Sequence, residues 1–110
     1  MSLESAGRAR RFFETALRLD DDNVEALIGF ANAHMWEVNM SYASDDRDAQ
    51  IQAAGTAAKQ ALALAPDSAE VHVTYGTVLY AMRAPERALR EFELAVGLDP
   101  NLAQHTPISV

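Results

Sequence analysis

The chain has 110 residues, 49% of them hydrophobic, no cysteine, and a formal charge of −7 from 16 acidic against 9 basic residues. That length fits one domain with a packed core, and the lack of cysteine excludes disulfides and thiolate metal sites while leaving the redox compartment open. So acidic a chain is poorly suited to holding nucleic acid or an anionic membrane through its overall field, and no apolar run approaches the length of a membrane span. Alanine dominates the apolar set and aromatic residues make up only 7%, a balance that favours closely packed helices over a sheet. The first residues do not form a signal peptide, so a cytoplasmic location is expected.

Five helices are predicted. The first runs roughly from Ser5 to Leu19, and its basic residues Arg8, Arg10, Arg11 and Arg18 form a solvated face or pair with Glu4 and Glu14 at helical spacing. A contact with an acidic partner is the other reading of that cluster. The run "DDDN" (Asp20 to Asn23) places carboxylates where a helix N-terminus favours them and opens the second helix, Asn23 to about Asn39. Ser44-Asp45-Asp46 reads as the cap of a third helix, about Asp46 to Ala65, which Pro66 stops. Asp67-Ser68 caps the fourth, Ser68 to Met82. Pro85 sits in the first turn of the fifth, which runs to Leu98 before Pro100, and Asn101 can cap a further helix.

The helices close in the same way three times. Residues 16–25 read "ALRLDDDNVE", residues 61–70 "ALALAPDSAE" and residues 95–104 "AVGLDPNLAQ". Pro66 and Pro100 are 34 residues apart, as are Ala61 and Ala95, while Ala16 and Ala61 are 45 apart, the same period with 11 residues inserted. The insertion lies between Trp36 and Ala54. Within the last unit the order is His72-x2-Tyr75-Gly76-x2-Leu79, then Ala88-x3-Phe92, Ala95 and Pro100. This arrangement resembles the tetratricopeptide repeat (TPR). Two departures are His72 in a slot where the repeat often has tryptophan, and Arg83 where glycine often makes the turn, a break that Pro85 is expected to supply instead.

The resemblance implies an all-α, TPR-type α-solenoid of antiparallel helix pairs, A then B. Residues 5–19 would be a lone B helix, 23–65 a repeat with the insertion, 68–98 a regular repeat, and 101–110 the start of the next. A chain that starts and ends in mid-pattern reads as a piece of a longer array. Gly76 and Ala31 are expected where A helices press on their neighbours, Ala88, Ala54 and Ala9 at the same task on B helices, with Phe92 and Phe13 filling the space beside them. The stretch from "HMWEVNMSYASDD" onward also resembles the C-terminal repeat region of bacterial class III adenylate or guanylate cyclases, through Trp36, Ser44, Asp45, Asp46, His72 and Gly76. That likeness implies a non-catalytic part of a protein whose nucleotide chemistry lies elsewhere.

No catalytic, metal-binding or cofactor-binding residue is assigned. His34 and His72 fall on core-facing positions of successive A helices, and a metal would need Glu25 or Glu70 as a third ligand. Buried histidines hydrogen-bonded within the array are the preferred reading. "DDDN" and "SDDRD" lack the spacing and central glycine of a calcium loop, and there is no phosphate-cradling loop, nucleophile motif or basic-aromatic stripe.

Function in such an array usually means recognition, with the A helices lining a concave groove. The residues expected to face it are Glu25, Ile28, Asn32 and Met35 or Trp36, then Glu70, Val73, Thr77 and Tyr80. Chaperone-binding members of the family clamp a terminal carboxylate with basic residues and asparagines; only Asn32 matches, so that role is not expected here. The expected partner is a protein or peptide, apolar with a basic residue, and neither nucleic acid nor membrane. Met35, Trp36, Met40 and Tyr42 either pack on each other or form a contact surface. The alternative function is a structural spacer or self-association element. Self-association of the chain is expected through Phe12, Phe13 and Leu17 at one end and Leu89, Phe92 and Val96 near the other.

Overall fold

A computed structural model describes residues 2–40 and 46–102. Among these the chain is all-α, with five helices: α1 (Leu3–Leu19), α2 (Val24–Met40), α3 (Arg47–Leu64), α4 (Ala69–Ala81) and α5 (Pro85–Leu98). The starts of α1, α2 and α4 follow from short polar side chains that satisfy free backbone amides, while Asp46 at the start of α3 makes no such capping bond. The Ser2 hydroxyl accepts from the Ser5 amide at 3.1 Å, which begins α1 two residues before the expected start. Asn23 Oδ1 accepts from the Ala26 amide at 3.1 Å, and the Ser68 hydroxyl from the Val71 amide at 3.3 Å. Pro85 occupies the first turn of α5, where its missing amide hydrogen costs nothing. Ser44 and Asp45, expected to cap α3, lie outside the described residues, as do Tyr42 and 103–110.

The turn between α4 and α5 differs from the expectation. Arg83 itself adopts the left-handed conformation, at φ 62°. The Ala84 amide bonds to the Leu79 carbonyl at 3.0 Å and the Arg83 amide to the Tyr80 carbonyl at 3.1 Å. Those two bonds form a Schellman motif, in which the left-handed residue is usually glycine. Pro85 therefore follows the break rather than making it. Holding a residue with a Cβ at this φ costs about 1 kcal/mol, partly offset because a cation suits the C-terminal end of a helix.

Packing is sequential. Each helix lies against its neighbours in the chain, and the one further pairing is α2 with α4. The helices in the middle are buried on several sides, which explains their composition. α2 and α4 bury Leu27, Ile28, Val38, Val71, Val78 and Leu79, and α3 meets both through Ala54, Ala57, Ala58 and Ala61. Alanine on α3 keeps the axes close. α1 and α5 bury few residues and show one apolar face each, as end helices must. Two polar clamps hold α3: the Arg47 guanidinium donates to the Val38 carbonyl of α2 at 3.1 Å, and the Gln60 amide to the Asp21 carbonyl in the turn before α2 at 2.8 Å.

Two glycines set the spacing at the ends. A Cβ built on Gly76 would lie 2.6 Å from Cε1 of Phe92, and one built on Gly29 would overlap the Phe13 ring. Phe92 and Phe13 are thus the knobs the sequence proposed. Phe13, however, seats on Gly29; Ala31, expected in that role, is fully buried elsewhere in the core. On α1, Ala6 and Gly7 are the buried small residues, and Ala9 is only half-buried.

The glycines yield a test of opposite signs. Gly76→Ala should destabilise by about 1–3 kcal/mol, because the ring of Phe92 must move. Gly97→Ala, with no atom within 4 Å of its added methyl, should stabilise by about 0.5–1 kcal/mol through helix propensity. Urea unfolding of both variants measures the difference, and equal effects would contradict the packing described.

Candidate functional site

Because the chain reverses after α2 and again after α3, α2 and α4 run side by side on one face of the stack. Between them lies an open cleft of about 260 Å³, lined by Asn32, Met35, Trp36 and Asn39 from α2 and by Thr77 from α4. The α2 residues share one side of the helix because their spacing is three, four and seven. Met35 is 5% exposed and forms the floor, whereas the Trp36 indole is 45% exposed at the rim. Asn32 and Asn39 project into solvent, and neither side chain has an intramolecular hydrogen bond among the described residues. The Thr77 hydroxyl donates to the Val73 carbonyl at 2.9 Å and so keeps its acceptor lone pairs for the cleft. The wall is neutral: amides and a hydroxyl that can donate and accept, an indole, and a thioether floor.

Of the residues expected to face a groove, Asn32, Met35, Trp36 and Thr77 lie together in the lining of this cleft. Ile28 does not: at 5% exposure it is turned into the core, against the expectation that it faces the groove. Its neighbours explain this, since Leu27, Ile28 and Ala31 form the buried stripe that meets the flanking helices. Glu25 and Glu70 are exposed in the first turns of α2 and α4, Val73 is half-buried, and Tyr80 is 69% exposed but outside the cleft lining. Asn39 was missed. Its place seven residues after Asn32 was the available signal.

The two histidines are placed apart in function. His72 lies buried between two oxygens, with Nδ1 2.8 Å from Glu91 Oε1 and Nε2 2.8 Å from the Pro66 carbonyl. Only the doubly protonated ring can donate to both. Burial opposes that charge, but the bonds to Glu91 and Pro66, with the charges of Glu91 and Asp67, outweigh it and raise the pKa above its ordinary value. His34 stacks edge-on against Phe30 with ring centroids 4.5 Å apart, and its Nδ1 is buried without a partner. Burial, reinforced by the Arg10 charge, lowers its pKa despite Glu37 and Glu14. Among the described residues no cluster of three or more His, Asp or Glu is placed to hold a metal ion.

Two of the four arginines in the basic cluster of α1 form ion pairs, and Arg18 instead donates to the Thr15 hydroxyl at 3.2 Å. Arg8 meets Glu4 at 3.1 Å, and Arg10 bridges Glu14 and Glu37, each at 2.6 Å. The Arg10–Glu37 contact, which joins α1 to α2, was not legible from helical spacing. No described helix is long and apolar enough to cross a membrane. Comparison of the chain with protein-family models gives no match, and comparison with curated proteins gives none either.

The His72–Glu91 pair carries a pH signature. A raised folded-state pKa contributes stability that is complete below the unfolded value near 6.5 and is lost as pH rises through the folded value. Glu91→Gln should therefore cost about 1–3 kcal/mol at pH 5.5, and the cost should shrink in alkaline solution. Because His34 is common to both chains, its opposite trend cancels in the difference. Urea titrations at several pH values measure it.

Proposed function

We propose that this chain is a non-catalytic recognition module of the tetratricopeptide type that holds an extended peptide in the cleft between α2 and α4. The carrying observation is the side-by-side placement of α2 and α4 around a neutral, hydrogen-bonding cleft with a half-exposed tryptophan. An extended peptide has one donor and one acceptor per residue, and the Asn32 and Asn39 amides offer both, seven residues and about 10 Å apart along α2. Trp36 and Met35 supply apolar contact for a side chain between them. The 34-residue period, the pairing of α2 with α4 through α3, and the glycine–phenylalanine contacts support the repeat reading. The likeness to the C-terminal region of class III cyclases makes a signalling protein with catalysis elsewhere the fitting context, and the cytoplasm the fitting compartment.

The ligand chemistry follows from the charges near the cleft. Its lining has no lysine or arginine, and Glu25 and Glu70 stand exposed at the starts of the same two helices. A peptide with an apolar residue and a basic one suits this surface, while an acidic tail does not.

A second reading, self-association, rests on α5. Leu89, Phe92 and Val96 flank an open, mainly apolar groove at the end of the stack, with Leu89 57% exposed. Sedimentation over a concentration range tests it, and an association abolished by Leu89→Arg would favour it.

For the cleft, titration of basic–apolar peptides should change Trp36 fluorescence with a dissociation constant of about micromolar order, since two helices give a short contact. Asn32→Ala and Asn39→Ala should each weaken binding by about fivefold, the worth of one hydrogen bond. Binding untouched by either substitution, or preference for acidic peptides reported by Trp36, would overturn the assignment.

A further inference from the structure

On the other side of α4 the surface is of opposite character. Gln52, Gly55, Thr56 and Lys59 form one stripe of α3, and Tyr75, Leu79 and Met82 one stripe from α4 into its C-cap. Between them is a recess of about 170 Å³, closed at one end by Arg87 of α5. Arg87 is held there, its guanidinium donating to the Tyr75 hydroxyl at 3.1 Å. Gly55 keeps the floor low: a Cβ at that position would sit 3.5 Å from Val78 and 3.9 Å from the Met82 sulfur. Gln52 and Met82 continue into a second recess of about 250 Å³ whose lining includes both Arg83 and Asp48.

The charges of this groove run against the rest of the chain. Lys59 is the only lysine in a sequence of net charge −7. Neither it, Arg83 nor Arg87 forms an ion pair among the described residues, as is also true of Arg11, Arg18 and Arg90; what sets these three apart is that they line one continuous groove. Arg87 has Glu91 one helical turn away, yet the Glu91 carboxylate is taken by His72 at 2.8 Å. Arg83 stands in a left-handed backbone conformation that glycine would adopt without strain. Three cations without an ion-pair partner thus line one groove against a single carboxylate, Asp48; one cation is tethered by a tyrosine and one held in an unfavourable conformation.

We propose that the groove between α3 and the α4–α5 turn binds an extended acidic segment of a partner protein, with one carboxylate side chain seated between Lys59 and Arg87 and another reaching Arg83. A single terminal carboxylate could engage only one end of a groove whose cations are distributed along it. Leu79 and Met82 give the stem of the seated side chain an apolar wall, and Gln52 can bond to the segment's backbone. The site stands apart from the α2–α4 cleft in both position and ligand charge, so either can fail without the other.

The test uses fluorescence anisotropy with an acetylated, amidated peptide carrying three glutamates spaced by glycine and serine, beside the same peptide with glutamines. The glutamate peptide should bind about tenfold more tightly. Lys59→Gln and Arg87→Gln should each weaken it by about two- to fivefold, as exposed ion pairs do, and Lys59→Arg should restore most of the loss. Arg90→Gln removes the same charge from the exposed surface of α5 outside the groove and should change affinity far less. Arg83→Gly should raise the melting temperature by about 4 °C while weakening binding, which separates the effect from misfolding. Equal binding of the glutamate and glutamine peptides would overturn the proposal. So would an Arg90→Gln loss matching that of Lys59→Gln, or equal binding of a neutral peptide with a free C-terminus.

Discussion

The arrangement of this chain depends on two places where an aromatic ring occupies the space of a missing side chain. Phe13 lies on Gly29 where α1 meets α2, and Phe92 lies on Gly76 where α4 meets α5. Each contact lets a helix approach its neighbour more closely than any residue with a Cβ would permit. A glycine inside a helix sacrifices about 1 kcal/mol of propensity, so its presence there is understandable only through the packing it allows. The two contacts also differ in direction along the chain. The ring precedes its glycine at one end and follows it at the other, so the end helices hold α2 and α4 from opposite sides.

Between those ends α3 acts as a spacer made of alanine. Ala54, Ala57, Ala58 and Ala61 are all at most 5% exposed, and they bring α3 against both α2 and α4. A larger residue at any of them would move α2 away from α4. The cleft with Asn32 and Trp36 and the groove with Lys59 and Arg87 are therefore consequences of the same close packing. α4 separates them: Thr77 faces one, Tyr75 and Leu79 the other.

Helix positions were largely legible because their ends are chemically marked. Ser68 and Asn23 act through bonds made within three residues, and Pro85 through its fixed φ and missing amide hydrogen, so local sequence determines all three. The partner of Phe13 was not legible. Carrying Gly76 back by 45 residues lands on Ala31, but the ring sits on Gly29, because Phe92 packs on the helix before it and Phe13 on the helix after it, so the angle at which a ring meets the helix is not carried over by the repeat. The same uncertainty in angle put Ile28 in the groove, whereas its side chain belongs to the buried stripe with Leu27 and Ala31. Arg83 presents a different case. The sequence marked the expected position of glycine correctly, and the chain kept the left-handed turn while changing the residue. The Arg10–Glu37 pair and the His72–Glu91 pair join different helices, so spacing along one helix could not reveal them.

How a chain of net charge −7 can offer a cationic groove is a question of range. At physiological ionic strength a charge is felt over about 8 Å, so most of the acidic residues act weakly on a ligand already seated beside Lys59 and Arg87. During approach from solution the ligand meets the whole field, which repels an acidic segment. Slow association with locally favourable contacts is the expected kinetic character of that groove. The opposite would hold for a peptide in the α2–α4 cleft as proposed: neutral walls would meet it through hydrogen bonds and the indole, while Glu25, Glu70 and the overall charge would attract a basic one from a distance. On the two proposals together, one acidic scaffold would separate two ligand classes by how they arrive as well as by what they touch.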